Sequence, residues 1–432
     1  MSGTSPVPAG AGGAVVPPAL LHHRRSALTW VATAVLGVGA LVIAGLFVAF
    51  GGLGPVALVT FLAALAFPVI LLVIFWLDRY EPEPGRYRLA AIGWGGVVAV
   101  ILSFVVESAA ALVTGNESFA SFAIVAPVVE ETGKGLFLVA VVLLRRDQIH
   151  GLLDGVVYGA LVGVGFAFVE DILYYLSALN EGGAAGLTTT VVLRGVMSPF
   201  AHPLFTAATG LGFGIGATST SRAKRVVAPL LGYLTGIVLH GIWNGSTVYG
   251  SRGFLTAYGL IMLPLLIVVV AIAIWARSRE GRMLLTALQQ TVQMGWTRPE
   301  EVRWVARISD RVSARRYARM RAGKPAAQAL RAFQQTMIEI AFLHNRFVSG
   351  TAPRDVNLRM LGLLDRAAAL RPYVVLPPEL PGGPVGGGLP GPGGLPGPGP
   401  GGPATVPGWV PPGLPEWYGP GAGTRPAGAV WP

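Results

Sequence analysis

The chain consists of long apolar runs separated by short polar stretches. Each of eight runs contains at least 23 residues, which is enough to cross a hydrocarbon core of about 30 Å at about 1.5 Å per residue. The pattern predicts an all-α, polytopic membrane helix bundle of about eight spans. The runs cover residues 27–50, 53–77, 89–113, 119–144, 152–177, 191–217, 226–248 and 254–276.

Composition supports a membrane protein and narrows its chemistry. The 432 residues are 53% hydrophobic and only 12% charged, a combination that globular soluble domains do not show. The chain has no cysteine, which excludes disulfides and thiol catalysis. The first apolar run is too long for the hydrophobic region of a cleaved signal peptide, so we interpret it as the first span.

The basic residues of the short loops predict the orientation. With eight alternating spans, nearly all of these residues fall on one side, which is cytoplasmic by the positive-inside rule. We therefore predict a multi-pass protein of the cell membrane with both termini in the cytoplasm. The opposite side has Arg252, with Arg194 just inside a span. The cytoplasmic set is Arg24, Arg25, Arg79, Arg86, Arg88, Arg145, Arg146, Arg222, Lys224, Arg225, Arg277, Arg279 and Arg282.

Residues 280–372 read as a separate basic domain of three or four amphipathic helices. From Arg277 to Arg371 there are 18 Lys/Arg against 7 Asp/Glu, which accounts for the whole net charge of +11. Such a surface suits the anionic cytoplasmic leaflet of the bilayer. We expect no nucleic-acid partner, because no recognisable binding motif accompanies the charge. Thr297 to Glu300 has the form of a capping box and predicts a helix start.

The two ends of the chain are predicted to be disordered. Residues 1–27 form a small-residue, Pro/Gly-rich arm, and residues 376–432 are dominated by Pro and Gly. Neither composition can form a packed core. The predicted organisation is therefore an arm, a membrane core at 28–276, the basic domain and a tail.

The fourth run contains charged residues that hydrocarbon should exclude. Glu130, Glu131 and Lys134 lie within it, and each costs roughly 2.5–3.5 kcal/mol on insertion scales. Glu130 and Lys134 are four residues apart and therefore share one helical face. The motif is either a structural intramembrane ion pair that helps the helices pack or the centre of a functional site.

Three later runs also contain polar residues, and these lie on stripes of small residues. Small residues at four-residue spacing mark faces where membrane helices approach closely. Glu170, His202 and His240 should therefore point at other helices and not at lipid. The polar residues are Glu170 and Asp171 in the fifth run, His202 and Thr206 in the sixth, and His240 and Asn244 in the seventh. The associated glycines are Gly151, Gly155, Gly159, Gly163, Gly210, Gly214, Gly232 and Gly236.

Carboxylates, two histidines and a lysine at similar depth are sufficient to bind a divalent metal and activate water. Imidazole with carboxylate suits Zn²⁺ with three protein ligands and one open position. Such a metal lowers the pKa of bound water to about 7 and polarises a carbonyl. Two other functions remain open: a proton-coupled transporter with a Glu/His relay, although no two-fold internal repeat is evident, and a catalytically silent scaffold.

Four motifs in order resemble the PrsW family of intramembrane proteases, which are related to CAAX-prenyl and bacteriocin-processing membrane proteases. They are Glu130-Glu131-x-x-Lys134, Phe166-x-x-x-Glu170, His202 and His240-x-x-x-Asn244. The stretch from Asp78 to Pro84 also resembles an element of this family. The resemblance covers residues 28–276, and Lys134 and Glu170 fit PrsW better than the prenyl-protease branch.

The resemblance implies an intramembrane endopeptidase acting on a single-pass membrane protein, such as an anti-sigma factor. Glu130 or Glu131 would be the general base, with Lys134 holding one carboxylate charged. Glu170, His202 and His240 would hold Zn²⁺ or position the water, and Asn244 would offer an amide to the oxyanion. The motifs leave a metal-free glutamate mechanism open.

One further acid lies in the membrane outside these motifs. Glu107 belongs to the third run. We expect it to pair with Arg194, to line the cleft or to reach the interface.

Overall fold

The structure is a computed structural model, and its described part is helical. No strand occurs among the described residues, which confirms the predicted all-α class. The predicted N-terminal arm and Pro/Gly tail lie outside the described residues, apart from their inner ends. The structure describes residues 27–80, 82–114, 119–145, 148–149, 151–353 and 355–378.

The chain divides into two compact units, one ending at Glu280 and one beginning at Gly281. Short π-helical turns interrupt or precede several helices of the first unit. These turns are Trp94–Ala99, Ser121–Val125, Val191–Met197 and Tyr258–Met262. The helices are α1 (Ala27–Gly51), α2 (Leu53–Leu77), α3 (Gly85–Gly93), α4 (Val100–Thr114), α5 (Ala126–Leu144), α6 (Leu152–Thr190), α7 (Ala201–Ala217), α8 (Arg222–Thr247), α9 (Gly250–Ala257) and α10 (Leu263–Gln293).

Six helical stretches of the described chain are long and apolar enough to cross a membrane. One of them, Leu152–Ala217, is 66 residues long and contains both α6 and α7. Helix α5 is outside the six, and its 19 residues carry Glu130, Glu131 and Lys134. The six stretches are therefore selected by length and apolarity alone. The number of membrane spans, predicted as eight, stays a prediction.

The predicted sixth span, residues 191–217, is not one continuous helix. The chain leaves the helix at Ser198 (φ −127°, ψ 33°) and starts α7 at Ala201. Pro199 disfavours helical geometry at Ser198, the residue that precedes it. Pro203 has no N–H, and its ring would clash with the carbonyl four residues earlier, so a helix cannot run through this position without a kink or a break. The break places His202 in the first turn of α7.

Helices α6 and α7 touch along the predicted glycine stripe. A Cβ atom added to Gly155, Gly159 or Gly163 would lie 2.1, 2.4 or 2.5 Å from a carbonyl oxygen of α7. Only glycine allows backbones to approach this closely. The stripe was correctly predicted as a contact face, and its last contact is the carbonyl of His202.

The stretch from Asp78 to Pro84 joins the ends of two helices to α6. The backbone N–H of Glu83 donates to Asp78 Oδ2 at 3.1 Å, and Tyr158 Oη donates to Glu83 Oε2 at 2.5 Å. Asp78, Glu83 and Tyr158 are buried. This family-like element therefore fixes the connection between α2 and α3 against α6, about twelve residues before Glu170.

The second unit contains α11 (Pro299–Ala306), α12 (Ile308–Val348) and α13 (Val356–Leu370), followed by a 3₁₀ turn at Arg371–Tyr373. Helix α12 is interrupted at Gly323. Its φ of 79° is a positive value, which glycine adopts without steric cost. The expected cap at Thr297 and Glu300 was wrong by one residue. Helix α11 begins at Pro299, and the N–H of Arg298 donates to Glu301 at 3.0 Å.

Apolar residues of α12 form the core of this unit. Leu330, Phe333, Met337 and Ile340 recur at helical spacing, and all are at most 1% exposed. Burial lowers the pKa of His344 to about 4. This histidine is therefore neutral at physiological pH. The unit is helical, and its cytoplasmic location stays a prediction.

Candidate active site

Helix α5 presents Glu130, Glu131 and Lys134 to the interior of the first unit. Glu131 and Lys134 are fully buried, and Glu130 is 5% exposed. The Lys134 Nζ atom donates to Glu130 Oε2 at 3.0 Å and to Glu131 Oε1 at 2.8 Å. Spacings of four and three residues place both carboxylates within reach of one ammonium. The pairing expected from the sequence is therefore present.

Lys134 also connects α5 to α7. Its Nζ atom lies 3.1 Å from His202 Nδ1 and 3.7 Å from the centre of the Phe166 ring. A lysine ammonium has three N–H donors, and Glu130, Glu131 and His202 supply three partners. The ammonium of Lys134 therefore contacts two carboxylates and one imidazole.

His240 of α8 faces the same pair of carboxylates. Its Nδ1 atom lies 3.2 Å from Glu131 Oε1, and its Nε2 atom lies 3.8 Å from Glu130 Oε2. The ring of Phe205 stacks on the imidazole at 4.8 Å. Glu131 and Phe205 therefore fix the ring so that Nε2 points towards Glu130.

The second oxygen of Glu131 is also engaged, because Thr206 Oγ1 donates to Glu131 Oε2 at 3.0 Å. Thr206 lies one turn after His202 on the predicted α7 stripe. The sequence placed Thr206 on this face but assigned it no role. With Lys134, His240 and Thr206 as partners, Glu131 has both oxygens occupied.

Glu130, His202 and His240 fit a divalent metal. Each offers one ligand atom, and these atoms all lie within 4.8 Å of one another. Tetrahedral Zn²⁺ with bonds of about 2.0–2.1 Å separates its ligand atoms by roughly 3.4 Å, so small side-chain movements would close the site. The Glu131 contact to His240 Nδ1 has the carboxylate–histidine form usual behind a metal-ligating imidazole.

Glu170 reaches the cluster through His202. Its Oε2 atom lies 2.6 Å from His202 Nε2. Arg194 donates to the same carboxylate, and its Nε atom donates to Asp171 Oδ1 at 2.7 Å. Arg194 also lies over the Tyr174 ring at 4.0 Å. Among the described residues Arg194 thus pairs with Glu170 and Asp171, and not with Glu107, which was one of the three alternatives for that acid.

The structure therefore groups the predicted metal ligands differently from the sequence. The sequence expected Glu170, His202 and His240 to hold the ion, whereas the mutually close set contains Glu130 with both histidines. Glu170 lies on the other side of His202, next to Arg194. Glu130 and Glu170 are therefore both candidates for the third metal ligand, beside His202 and His240.

Asn244 lies one turn beyond His240 on α8. Its Nδ2 atom donates to the carbonyl of Phe122 at 3.2 Å. Phe122 belongs to the π-helical turn Ser121–Val125, which leads into α5. π-helical turns inside helices occur frequently at functional sites. Asn244 thus ties the entry of the Glu130 helix to α8.

An open groove of about 590 Å³ lies beside this turn. Its lining includes Phe119 and Ala123, the small residues Gly241 and Gly245 that follow His240 and Asn244 in α8, and Arg252. Arg252 is exposed. The groove therefore lies along the segment of α8 that carries His240 and Asn244.

A family model described as PrsW family intramembrane metalloprotease matches residues 83–274. Curated proteins named Protease PrsW are similar to this chain. That of Geobacillus kaustophilus is 31% identical over 209 residues, which is 47% of this chain and 85% of the relative. Those of Clostridioides difficile and Bacillus subtilis are 27% and 28% identical, covering 42% of this chain and 76% and 79% of theirs. No solved structure matches the chain.

Proposed function

Because this chain belongs to the PrsW family and is a membrane-embedded peptidase, we propose that it cleaves single-pass membrane proteins, with a regulatory anti-sigma-type protein as its substrate. The membership favours the peptidase over the proton-coupled transporter and the scaffold. The observation that carries the proposal is the buried cluster of Glu130, Glu131, Lys134, His202 and His240, which joins three helices.

We propose Zn²⁺ as the cofactor, held by His202, His240 and Glu170. When bound, the metal supplies a water of lowered pKa and a Lewis acid for the substrate carbonyl. Glu131 orients His240 through Nδ1, and Arg194 holds Glu170 beside His202. The fit of Glu130 with both histidines gives the second candidate for the carboxylate ligand.

Glu130 is our proposed general base. The oxygens of Glu131 are already engaged by Lys134, His240 and Thr206, whereas Glu130 is slightly exposed and lies beside His240 Nε2. It would take a proton from the attacking water and pass it to the leaving amine. Lys134 would hold one carboxylate charged, as the family resemblance implies.

Asn244 is proposed to stabilise the oxyanion. A carboxamide NH₂ has two donors, and the described contact uses one of them for Phe122. The second can donate to a carbonyl oxygen that gains negative charge. The groove beside Asn244 is the proposed approach for the substrate segment, and the basic second unit is proposed to lie on the anionic cytoplasmic leaflet.

The test separates the base from the ligand with two variants of the full chain in liposomes. Glu130→Gln should retain bound zinc and lose about 10²–10⁴-fold in cleavage rate. Glu170→Gln should lose the zinc together with the activity, and a chelator should abolish cleavage by the unmodified protein. Zinc content and cleavage of candidate single-pass substrates are both measured.

The control is Glu181→Gln, an acid of α6 whose carboxylate accepts from Ser177 outside the cluster. It should match the unmodified protein in both measurements. If Glu130→Gln lost its zinc while Glu170→Gln retained it, Glu130 would be the metal ligand and Glu170 the candidate base. Full cleavage by both variants would remove the proposed mechanism.

A further inference from the structure

Helix α4 carries two polar side chains that the cluster leaves unexplained, Ser103 and Glu107. They are four residues apart and therefore share one face of the helix. Ser103 Oγ and Glu107 Oε1 are both buried, and neither has a hydrogen-bond partner among the described residues. Buried polar atoms nearly always have a partner, so this pair requires an explanation.

The shared face is the one that packs on α5. Ala99, one turn before Ser103, is fully buried, and a Cβ atom at Gly133 would lie 3.4 Å from its Cα atom. Helices joined by a short connection run antiparallel. At about 1.5 Å per residue, Ser103 then lies near the level of Glu130, and Glu107 lies one turn further towards the end of α4.

The electrostatic surroundings of Glu107 agree with a position facing α5. The charges of Glu130, Glu170 and Lys134 all act on its carboxyl group. The neighbouring side chains Phe104 and Val105 are instead 67% and 57% exposed on the outer surface of the unit. Glu107 therefore faces the cluster, while its neighbours in α4 face lipid.

The hydroxyl of Ser103 also departs from the usual behaviour of serine in a helix. A helical serine commonly donates to the carbonyl four residues earlier, as Thr132 does to Val128 at 2.6 Å in α5. The Ser103 hydroxyl has no such partner within the described residues. It is thus available to a small polar molecule beside Glu130.

We propose that Ser103 and Glu107 line the path along which water reaches Glu130 from the Thr114 end of α4. This inference rests on the proposed function, because each hydrolysed peptide bond consumes one water. Hydrocarbon offers no water to a buried site. Buried waters typically make about three hydrogen bonds to otherwise unsatisfied polar groups, and these two side chains supply such groups in succession.

The natural absence of cysteine allows a direct test. Single variants Ser103→Cys and Glu107→Cys are compared with the lipid-facing controls Phe104→Cys and Val105→Cys in the full chain in liposomes. The probe is a charged methanethiosulfonate reagent that reacts with thiolates in water. An apolar environment raises a thiol pKa, and each unit lowers the thiolate fraction about tenfold.

We expect Ser103→Cys and Glu107→Cys to react at least about tenfold faster than both controls. A membrane-permeant maleimide, applied after detergent unfolding, verifies that each variant contains its thiol. Equal rates at all four positions, or faster reaction of the controls, would overturn the path. Because labelling needs no substrate, failure of the proposed peptidase mechanism would leave this result unaffected.

A second measurement links the path to turnover. Ser103→Leu should fill the path and lower kcat with KM unchanged. Phe104→Leu is the matched control on the lipid face. A Ser103→Leu variant that is labelled normally by a substrate crosslinker and retains full kcat would contradict the role in water supply.

Discussion

At the scale of single residues, Lys134 organises the site. Its pairing with Glu130 and Glu131 follows from helical spacing, but its contact with His202 joins residues 68 positions apart. A fully buried ammonium is stable only when carboxylates and other acceptors replace its water. The same contacts that hold Lys134 therefore also hold the proposed base beside the two histidines.

A double-mutant cycle separates the structural from the catalytic part of this network. Lys134→Met removes the ammonium that pairs with both buried carboxylates, which should destabilise the core by about 3–5 kcal/mol. Adding Glu130→Gln removes one of these charges and should restore part of the stability. Cleavage should stay absent in the double variant, because its base is missing.

Thermal unfolding in detergent and cleavage in liposomes measure the two quantities on the same preparations. Leu136→Met, on the exposed side of α5, serves as the control for substitutions in this helix. Restored cleavage in the double variant would eliminate Glu130 as the base and leave Glu131 as the alternative.

At the scale of elements, the break between the π-helical turn Val191–Met197 and α7 shapes the site. It places His202 in the first turn of α7 and Arg194 in the turn before the break. Arg194 can then reach Glu170 and Asp171 of α6. The turn thus holds the carboxylate of α6 against the imidazole of α7.

Arg194 is therefore a positioning residue, and its charge should affect kcat. A hydrogen bond to a charged group contributes about 1.5–3 kcal/mol, so Arg194→Gln should lower kcat by about ten- to a hundredfold. Arg194→Lys should recover part of the rate, and Arg222→Gln, at an exposed arginine at the start of α8, is the control for loss of an arginine. KM and kcat are measured separately, together with zinc content.

A merely structural role would be indicated if Arg194→Gln and Arg194→Lys lowered the melting temperature equally while the kcat of the folded fraction stayed unchanged.

At the scale of the whole molecule, charge divides the chain. The net excess of basic residues lies between Arg277 and Arg371, whereas the polar cluster lies before residue 277. We propose on this basis that the first unit carries the chemistry and that the second contacts the anionic leaflet. The predicted topology rests on the basic residues of the short loops, which favour the cytoplasmic side.

Reporter fusions test this topology. C-terminal reporters after Thr114 and Ala185 should report an extracytoplasmic location, and those after Arg146 and Lys224 a cytoplasmic one, because the basic loops resist translocation. An alkaline phosphatase and a fluorescent protein at each site provide opposite signals and control for expression. An extracytoplasmic signal after Lys224 would refute the arrangement of eight spans.

The sequence by itself determined the helical class, the glycine stripe between α6 and α7, and the chemical types present in the site. These properties follow from local periodicity and from the cost of polar groups in hydrocarbon. It also indicated the Lys134 pairings, since residues three and four apart are neighbours on any helix.

Tertiary structure alone decided which distant groups meet. The choice of Arg194 as partner of Glu170 and Asp171, the engagement of Glu131 by Thr206, and the closeness of Glu130 to both histidines depend on helix rotation and depth. Spacing along one helix carries no information about these quantities, because they are set by packing between helices.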